Sequence, residues 1–296
     1  MINVICSDAG GAEVISSWLL YKKIKFKLTA TGPAIKIFKN KFKNIKIYKS
    51  LAVSKKTNFI LIGTSVKKYE LNHIFKIKRY KIKVIAYLDS WTEYKERFHL
   101  RGHYIVPNEL WVCDKYAMKI AKKTFKNIPI KLVGNYYLRN LKTIYIKNKK
   151  MVKKKKIIFL SSPIKDFAKI RFNDSNYYNY TEDDIFNFFL KDSIGLKINL
   201  AEITIQLHPR EDLNTYEKSI KNLDLNIKVN KTKKLIDIFN DANIVVGCNS
   251  MALVVAQVAM GKKTINILPK GVKNIIPYKQ VKTIKFDQYN NYTRIK

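Results

Sequence analysis

The sequence predicts two α/β domains, each built as a doubly wound parallel sheet. Its 296 residues are 47% hydrophobic, which is enough for one large core or two medium ones. Short apolar runs alternate with helical segments through the first half, and this alternation restarts after a lysine-rich stretch. We therefore expect a first domain over 1–140, a basic linker over 141–156 and a second domain over 157–277. The basic, aromatic tail over 278–296 is a candidate to pack back on the first domain.

In the first half, seven apolar runs predict strands, and most of them stop at glycine or polar residues. These strands span 2–6, 26–31, 45–48, 58–62, 83–88, 109–113 and 130–133. Helices are expected over 14–21, 35–42 and 116–125, with another leading toward Phe75. Such an order is typical of a parallel sheet that binds ligands beyond the carboxyl ends of its strands.

The second half repeats the same order. Strands are predicted over 157–160, 202–207, 243–246 and 264–268, and helices over 182–190, 234–239 and 251–260. Thr181 and Ser250 stand at N-cap positions of the first and last of these helices. A strand, a tight turn and a helix N-terminus around Ser250 direct backbone N–H groups and a positive helix dipole to one point, which suits a phosphate. An ordinary βαβ core unit explains the same pattern.

Polar residues follow two strands of the first half. Asp8, with Gly10 and Gly11, follows the first strand and is a candidate for a ligand-binding or catalytic carboxylate, with a helix cap as the alternative. Thr64 and Ser65 follow the fourth strand, where hydroxyls can hold a phosphate or a sugar, or cap the next helix. No GxGxxG pattern supports a nicotinamide or flavin, and we expect no cofactor.

The segment 89–98 follows the fifth strand and combines carboxylates, aromatics and an arginine. Asp89 is a second candidate base, and Tyr94 and Arg97 are candidates to bind a sugar or an anion, since a guanidinium binds phosphate through two hydrogen bonds. In the alternative interpretation, Trp91 and Phe98 are core residues and Arg97 pairs with Glu93.

In the second half, hydroxyls and a histidine follow the strands. Ser161 and Ser162 end the strand at 157–160, and His208-Pro209-Arg210 ends the strand at 202–207. An imidazolium at 208 and a guanidinium at 210 can stabilise a departing phosphate, whereas the alternative is a structural histidine.

The net charge of +36, from 58 basic and 22 acidic residues, has several explanations. Nucleic-acid binding is the obvious one, yet the excess is mostly lysine and is spread along the chain with many Ile, Asn, Tyr and Phe. Those are residues that an AT-rich genome encodes readily, so coding bias explains the charge without a partner. Attraction to an anionic membrane surface or to anionic substrates remains open, and nucleic acid ranks last.

Compartment and metal content are also constrained by the sequence. There is no signal-peptide pattern and no apolar run of about 18 residues, so we expect a cytoplasmic protein. Cys6, Cys113 and Cys248 are far apart, which disfavours disulfides and a zinc cluster. His99 and His103 are separated by Gly102, which disfavours a helical metal pair.

Two short motifs resemble those of a known family. Leu207 to Glu211, LHPRE, is similar to the His-Pro motif of bacterial sialyltransferases and related capsule enzymes, and Gly247 to Leu253, GCNSMAL, is similar to their serine motif. With two doubly wound halves, the chain resembles GT-B glycosyltransferases, whose two domains face a central cleft. The resemblance implies that His208 contacts the nucleotide and leaving phosphate, and that Ser250, with Asn249 beside it, holds phosphate at a helix N-terminus.

The match to that family has departures. Many GT-B enzymes have a ribose-binding glutamate where this chain has Val255, and the sialyltransferase base motif is only loosely echoed by Asp8 with Gly10 and Gly11. No Asp-x-Asp occurs, which fits metal-independent GT-B chemistry.

These features predict an enzyme that transfers a sugar, or a related group, from a nucleotide-activated donor to a surface-polysaccharide or glycolipid acceptor, working in the cytoplasm and at the membrane's inner face. Two alternatives remain: a nucleotide-sugar epimerase or hydrolase on the same fold, and a non-catalytic basic module that binds nucleic acid.

Overall fold

The structure is a computed structural model, and it divides into two compact units, Met1–Asn140 and Leu141–Lys296. It describes residues 1–51, 57–65, 67–77, 81–148, 155–191, 201–221, 223–231 and 234–287. Each unit is a six-stranded parallel sheet with helices, so the predicted class of two doubly wound α/β domains is confirmed. The predicted domain boundaries themselves stay a prediction.

The sheet of the first unit has the order β2-β1-β3-β4-β7-β8, and all of its strand pairs are parallel. Its strands are β1 (Ile2–Cys6), β2 (Phe26–Ala30), β3 (Ile60–Ile62), β4 (Val84–Leu88), β7 (Glu109–Val112) and β8 (Ile130–Leu132). A separate antiparallel hairpin consists of β5 (His99–Leu100) and β6 (His103–Tyr104). The strand predicted at 45–48 is reduced to one parallel bridge, from Leu28 to Ile47, beside β2.

Helices connect these strands. They are α1 (Ala9–Lys22), α2 (Pro33–Lys41), α3 (Tyr69–Ile77) and α4 (Lys115–Thr124), with a 3-10 turn at Glu96–Phe98. Helix α1 begins at Ala9, whereas the sequence predicted Val14, because Gly10 and Gly11 are poor helix formers that here lie inside the first turn. Helix α5 (Tyr136–Asn148) runs into the predicted linker, so residues 141–148 are helical; residues 149–154 lie outside the described residues.

The sheet of the second unit has the order β11-β10-β9-β12-β13-β14, again with parallel pairs only. Its strands are β9 (Lys156–Leu160), β10 (Glu202–Gln206), β11 (Ile227–Asn230), β12 (Ile244–Gly247), β13 (Lys263–Pro269) and β14 (Lys282–Phe286). Strand β14 lies in the predicted tail, so this part of the tail belongs to the second sheet. Residues 288–296 lie outside the described residues.

The helices of the second unit are α6 (Ile164–Phe172), α7 (Glu182–Lys191), α8 (Glu217–Ile220), α9 (Leu235–Asn240) and α10 (Met251–Val254). Thr181 caps α7 as predicted, since its Oγ1 accepts from the Asp184 N–H at 3.3 Å while Asp184 Oδ2 accepts from the Thr181 N–H at 2.8 Å. Helix α10 continues into a π-helical turn, Val255–Ala259, so the predicted helix over 251–260 is confirmed in outline.

Central strands are buried on both faces, which is why they appear in the sequence as continuous apolar runs. All five residues of β1 and of β4 are buried. In each unit the strand order reverses next to the first strand, between β1 and β3 and between β9 and β12. The carboxyl ends of these two pairs are the places where doubly wound sheets bind ligands.

Candidate functional site

At the reversal point of the first unit, a buried glutamate holds two strand-end loops together. Glu70 of α3 is 1% exposed, and its Oε1 accepts hydrogen bonds from the N–H and the hydroxyl of Ser7, both at 2.8 Å. Its Oε2 accepts from the N–H of Ser65 at 3.2 Å and from the Ser65 hydroxyl at 2.5 Å. We call these hydrogen bonds of the buried glutamate a clamp. Ser65 is 2% exposed, so its hydroxyl bonds to Glu70 and is not accessible to a ligand.

The segment after β4 is organised by an ion pair. The Arg97 guanidinium lies 2.7 Å from Asp89 Oδ1 and donates to the Thr64 hydroxyl at 2.6 Å and to the Thr92 carbonyl at 3.0 Å. Burial alone would lower the pKa of Arg97, but the charge and hydrogen bond of Asp89, together with the charges of Tyr94 and Glu93, outweigh it and the pKa is raised. Asp89 is therefore the partner of Arg97, in place of the Glu93 named in the structural alternative, and both groups are engaged within the unit.

Three other predicted substrate-binding residues have internal roles. Tyr94 is 4% exposed and donates its hydroxyl to the Ser90 carbonyl at 2.7 Å, so it is a core residue. A Cβ on Gly10 would lie 2.0 Å from Asp89 Oδ2, and one on Gly11 would lie 3.2 Å from the Gly63 Cα. These glycines allow helix α1 to pack closely against the neighbouring loops.

Asp8 occupies the N-cap position of α1 without a capping hydrogen bond from its carboxylate to the helix. Its side chain is half-buried, and its charge helps to raise the pKa of the nearby Cys6 thiol, after burial and the charges of Glu70 and Asp89. The helix-cap alternative for Asp8 is thus not what the geometry shows, and its role as a base stays a prediction.

The reversal point of the second unit has a corresponding clamp. Glu211 is 6% exposed; its Oε1 accepts from the Ser161 hydroxyl at 2.5 Å and its Oε2 accepts from the His208 N–H at 2.7 Å. The Tyr216 hydroxyl lies 2.6 Å from Ser161 Oγ. Burial raises the pKa of Glu211 against these hydrogen bonds. Ser161 is 7% exposed, so it fixes the loop after β9 and does not present its hydroxyl to a phosphate.

His208 and Arg210 lie on this fixed loop around an aromatic ring. Phe167 of α6 has its centroid 5.6 Å from the His208 ring, and the Arg210 guanidinium lies 5.6 Å from the same phenyl centroid. His208 Nδ1 accepts from the Arg210 N–H at 3.3 Å, which assigns the proton of a neutral ring to Nε2. Burial and the Arg210 charge lower the pKa of His208, so the predicted imidazolium is replaced by a neutral donor near pH 7.

The loop after β12 completes this edge. Ser250 caps α10, accepting from the Ala252 N–H at 3.3 Å, as the sequence predicted. Asn249 has a left-handed backbone with φ of 44°, and its side chain bridges Asn266 and the loop at 273–275. The Ser162 hydroxyl donates to the Cys248 carbonyl at 3.4 Å, which links the loops after β9 and β12.

Sequence reasoning missed Glu70, Glu211, Phe167 and Asn266. Glu211 stood inside the LHPRE motif, three residues after His208, and its position next to a predicted strand end was an available signal. Glu70 and Asn266 had no comparable signal, since Glu70 bonds to Ser7, 63 positions away in sequence, and Asn266 bonds to Asn249, 17 positions away.

Other features lie away from these edges. His99 and His103 belong to the β5–β6 hairpin, and no group of three His, Cys, Asp or Glu within the described ranges could hold a metal ion. Within those same ranges no helix is long and apolar enough to cross a membrane.

A cavity of about 830 Å³ opens at the other edge of the second sheet, by Lys156 and Glu202, where β9 and β10 begin.

Several solved structures share this fold with the chain at low sequence identity. The S. aureus MnaA–UDP co-structure shares 10% identity and a TM-score of 0.63, over 90% of this chain and 78% of that one. UDP-GlcNAc 2-epimerase from Neisseria meningitidis, bound to UDP-GlcNAc, shares 12% identity and a TM-score of 0.56, over 85% and 78%. The glycosyltransferase of kitacinnamycin shares 11% identity and a TM-score of 0.54, over 97% and 85%.

These likenesses establish a GT-B-type fold and, at such identities, nothing finer. No protein-family model and no curated protein matches the sequence. The resemblance to sialyltransferases therefore rests on the two short motifs alone.

Proposed function

We propose that the protein is a glycosyltransferase that moves a sugar, or a related group, from a nucleotide-activated donor to a surface-polysaccharide or glycolipid acceptor. The observation that carries this proposal is the edge of the second sheet, where His208, Arg210 and the Ser250-capped helix start follow strands beside the reversal point. That is where a doubly wound sheet binds a ligand, and the groups are donors suited to a phosphate.

In this proposal the second unit binds the donor and stabilises its leaving group. Breaking the bond between sugar and phosphate leaves negative charge on the phosphate oxygens. The Nε2–H of His208 and the exposed guanidinium of Arg210 would donate to those oxygens, with backbone N–H groups after Ser250 adding further donors. Glu211 would act by holding His208 and Ser161 in place.

The first unit would then supply the base for the acceptor hydroxyl. Asp8 is the first candidate, because it follows β1 directly beside the reversal point of the sheet, whereas the Asp89 carboxylate lies 2.7 Å from the Arg97 guanidinium. The acceptor oxygen would lose its proton to Asp8 as it bonds to the donor's anomeric carbon, while the nucleotide leaves with the bond electrons.

We also propose that the reaction takes place in the cytoplasm and at the membrane's inner face. Cys6, Cys113 and Cys248 are all buried free thiols, which suits a reducing compartment. A lipid-linked acceptor would bring the protein to the bilayer surface.

A second candidate is a nucleotide-sugar epimerase or hydrolase, and three fold neighbours have UDP-N-acetylglucosamine 2-epimerase in their titles. The phosphate-binding edge would serve either reaction. Only the transferase needs a separate acceptor molecule, so the dependence of turnover on acceptor separates the two.

The test is an incubation of the full chain with a panel of nucleotide sugars, with and without glycan or lipid-linked acceptors, followed by NMR of the anomeric and phosphorus signals. The transferase predicts nucleotide release that depends on acceptor. Complete conversion of a donor without acceptor, at enzyme-like rates, would establish the epimerase or hydrolase instead. Tight binding of RNA with a steep salt dependence and no donor conversion would favour the nucleic-acid alternative.

A further inference from the structure

The first unit has two adjoining cavities that meet at its hairpin. One of about 570 Å³ lies between the end of α3, residues 81–84 and residues 103–108, and a second of about 450 Å³ lies between residue 95, the hairpin and residues 124–128. Tyr104 and Val106 line both. The two cavities are therefore neighbours that share these two side chains, and we call the grooved face around them the hairpin surface.

Apolar side chains are unusually exposed on the hairpin surface. Phe75 is 51% exposed, Tyr104 45% and Val106 41%, and Phe75 stacks against His103 with centroids 6.4 Å apart. They rest on a rigid base, since Phe98 and Leu100 beneath the hairpin are buried in the core. A cluster of exposed aromatic and aliphatic groups on a firm base is typical of a docking surface.

The rim of this groove is basic. Three exposed lysines line its two cavities, Lys81, Lys95 and Lys126, and the exposed Arg101 lies in the turn of the hairpin. One acidic residue, Glu96, lies close enough to help raise the pKa of Tyr104, after burial of the Tyr104 hydroxyl itself. The groove thus combines apolar contacts at its centre with positive charge around them.

We propose that the hairpin surface binds the protein to an anionic lipid bilayer. Tyr104, Phe75 and Val106 would enter the headgroup region, where aromatic side chains are favoured, while the surrounding lysines would contact lipid phosphates. Each basic residue near an anionic leaflet adds about 1 kcal/mol, which suffices for reversible attachment when several act together. The occupant must be negatively charged and apolar at once, and a bilayer of acidic phospholipids has both properties.

This inference deepens the proposed function, because a lipid-linked acceptor lies in such a bilayer, but it concerns a different surface. It also differs from the lysine-rich segment 36–49, where the structure describes exposed lysines without any large exposed hydrophobic side chain. That segment offers charge alone, so the two surfaces can be compared directly.

The experiment is co-sedimentation of the full chain with vesicles of phosphatidylcholine, with and without phosphatidylglycerol, at low and high salt. The test variants are Phe75→Ser/Tyr104→Ser and Lys81→Glu/Lys126→Glu. Their matched controls are Leu20→Ser/Tyr21→Ser, which removes 47% and 64% exposed side chains from α1, and Lys36→Glu/Lys39→Glu, which changes the net charge equally on α2. A cooperative thermal unfolding transition like that of the wild type, followed by circular dichroism, verifies that each variant is folded.

The expected result is binding that requires phosphatidylglycerol, falls roughly tenfold or more in both hairpin variants, and changes less than about twofold in both controls. Equal losses in the two charge variants would show that net charge alone is responsible and would overturn the inference. Absence of wild-type binding at low salt, or binding indifferent to phosphatidylglycerol, would overturn it as well. Because no donor or acceptor is present, failure here leaves the proposed transferase standing.

Discussion

Both units have a buried glutamate that joins loops at the reversal point of the sheet, but the charged groups around the two glutamates differ. In each, a buried glutamate joins the loop after the first strand to another loop: Glu70 joins Ser7 and Ser65, and Glu211 joins Ser161 and the His208 loop. In the first unit the nearby cation, Arg97, forms an ion pair with Asp89 and donates a hydrogen bond to Thr64. In the second unit Arg210 is exposed and His208 half-buried on a fixed loop.

This difference separates the two chemical tasks. In our proposal a phosphate needs positive charge and hydrogen-bond donors, and the edge of the second unit presents the half-buried His208 and the exposed Arg210 for that role. The edge of the first unit is acidic around Asp8 and internally balanced around Asp89, which suits a base for a neutral acceptor hydroxyl. The comparison therefore predicts that variants in the two units will fail in different ways.

The largest expected effect is on turnover. His208→Ala removes a leaving-group donor and Asp8→Asn removes the base, so each should lower kcat with the identified donor and acceptor by roughly 100-fold or more. His99→Ala, on the exposed hairpin, is the histidine control and should retain activity towards a soluble acceptor. Full activity in both His208→Ala and Asp8→Asn would exclude these roles.

The two glutamate clamps should differ in their tolerance of glutamine. Each carboxylate oxygen of Glu70 accepts a hydrogen bond from a backbone N–H. In Glu70→Gln the side-chain NH₂ group would face one of these backbone N–H donors, so that hydrogen bond is lost. The free energy of unfolding should therefore fall by about 3 kcal/mol. In Glu211→Gln the amide can donate to Ser161 Oγ and keep the His208 N–H bond, so the change should stay within about 1 kcal/mol. Denaturant titration measures both; equal losses would contradict the assigned hydrogen bonds.

The close contact at Gly10 provides a test of the closed arrangement in the first unit. Gly10→Ala should lower the free energy of unfolding by about 2 kcal/mol, despite the better helix propensity of alanine, because its Cβ displaces Asp89 from Arg97. In an Asp89→Ala background the same change should cost much less. A cost that is the same in both backgrounds would mean that Asp89 is not the obstacle.

The strands were predictable from sequence to the extent that both of their faces are buried. Strands such as β1, β4 and β9 appear as apolar runs, whereas β11 mixes lysine and asparagine, and β14 lysine and threonine, with apolar residues, and neither strand was predicted. Helix α5 was hidden by its lysines, and the start of α1 by its two glycines. Local patterns determine these elements only where tertiary packing agrees with them.

The sequence predicted where along the sheets the candidate sites lie, but not how their side chains are arranged. Residues that follow strands, such as Asp8, His208 and Ser250, do lie at the carboxyl edges of their sheets. Which groups are engaged with each other depends on contacts between distant loops, such as the 50 residues between Ser161 and Glu211. For that reason Arg97 and Tyr94 were expected to face a substrate, although the structure turns both inward.

The smallest expected effect is a pH dependence in the second unit. Burial lowers the pKa of His208, so the stability contributed by its neutral ring is complete above the ordinary value of about 6.5 and is lost as pH falls through the lowered value. Burial raises the pKa of Glu211, so its contribution is present below about 4.3 and lost as pH rises through the raised value. Glu211→Gln should thus gain stability relative to wild type as pH rises from about 4 to about 7. Urea titrations across that range measure the trend, and a constant difference would contradict it.

The central claim is that the donor's phosphates bind the second unit and not the first. Isothermal titration calorimetry with UDP and the other nucleoside diphosphates and monophosphates, on the full chain, tests it most directly. For the nucleotide that binds, Arg210→Ala and His208→Ala should weaken the affinity by roughly tenfold or more each, since each removes a hydrogen bond to a charged group. Asp8→Asn should leave the affinity within about twofold while it abolishes transfer. Loss of nucleotide binding in Asp8→Asn together with unchanged binding in both second-unit variants would place the phosphate in the first unit and contradict the account.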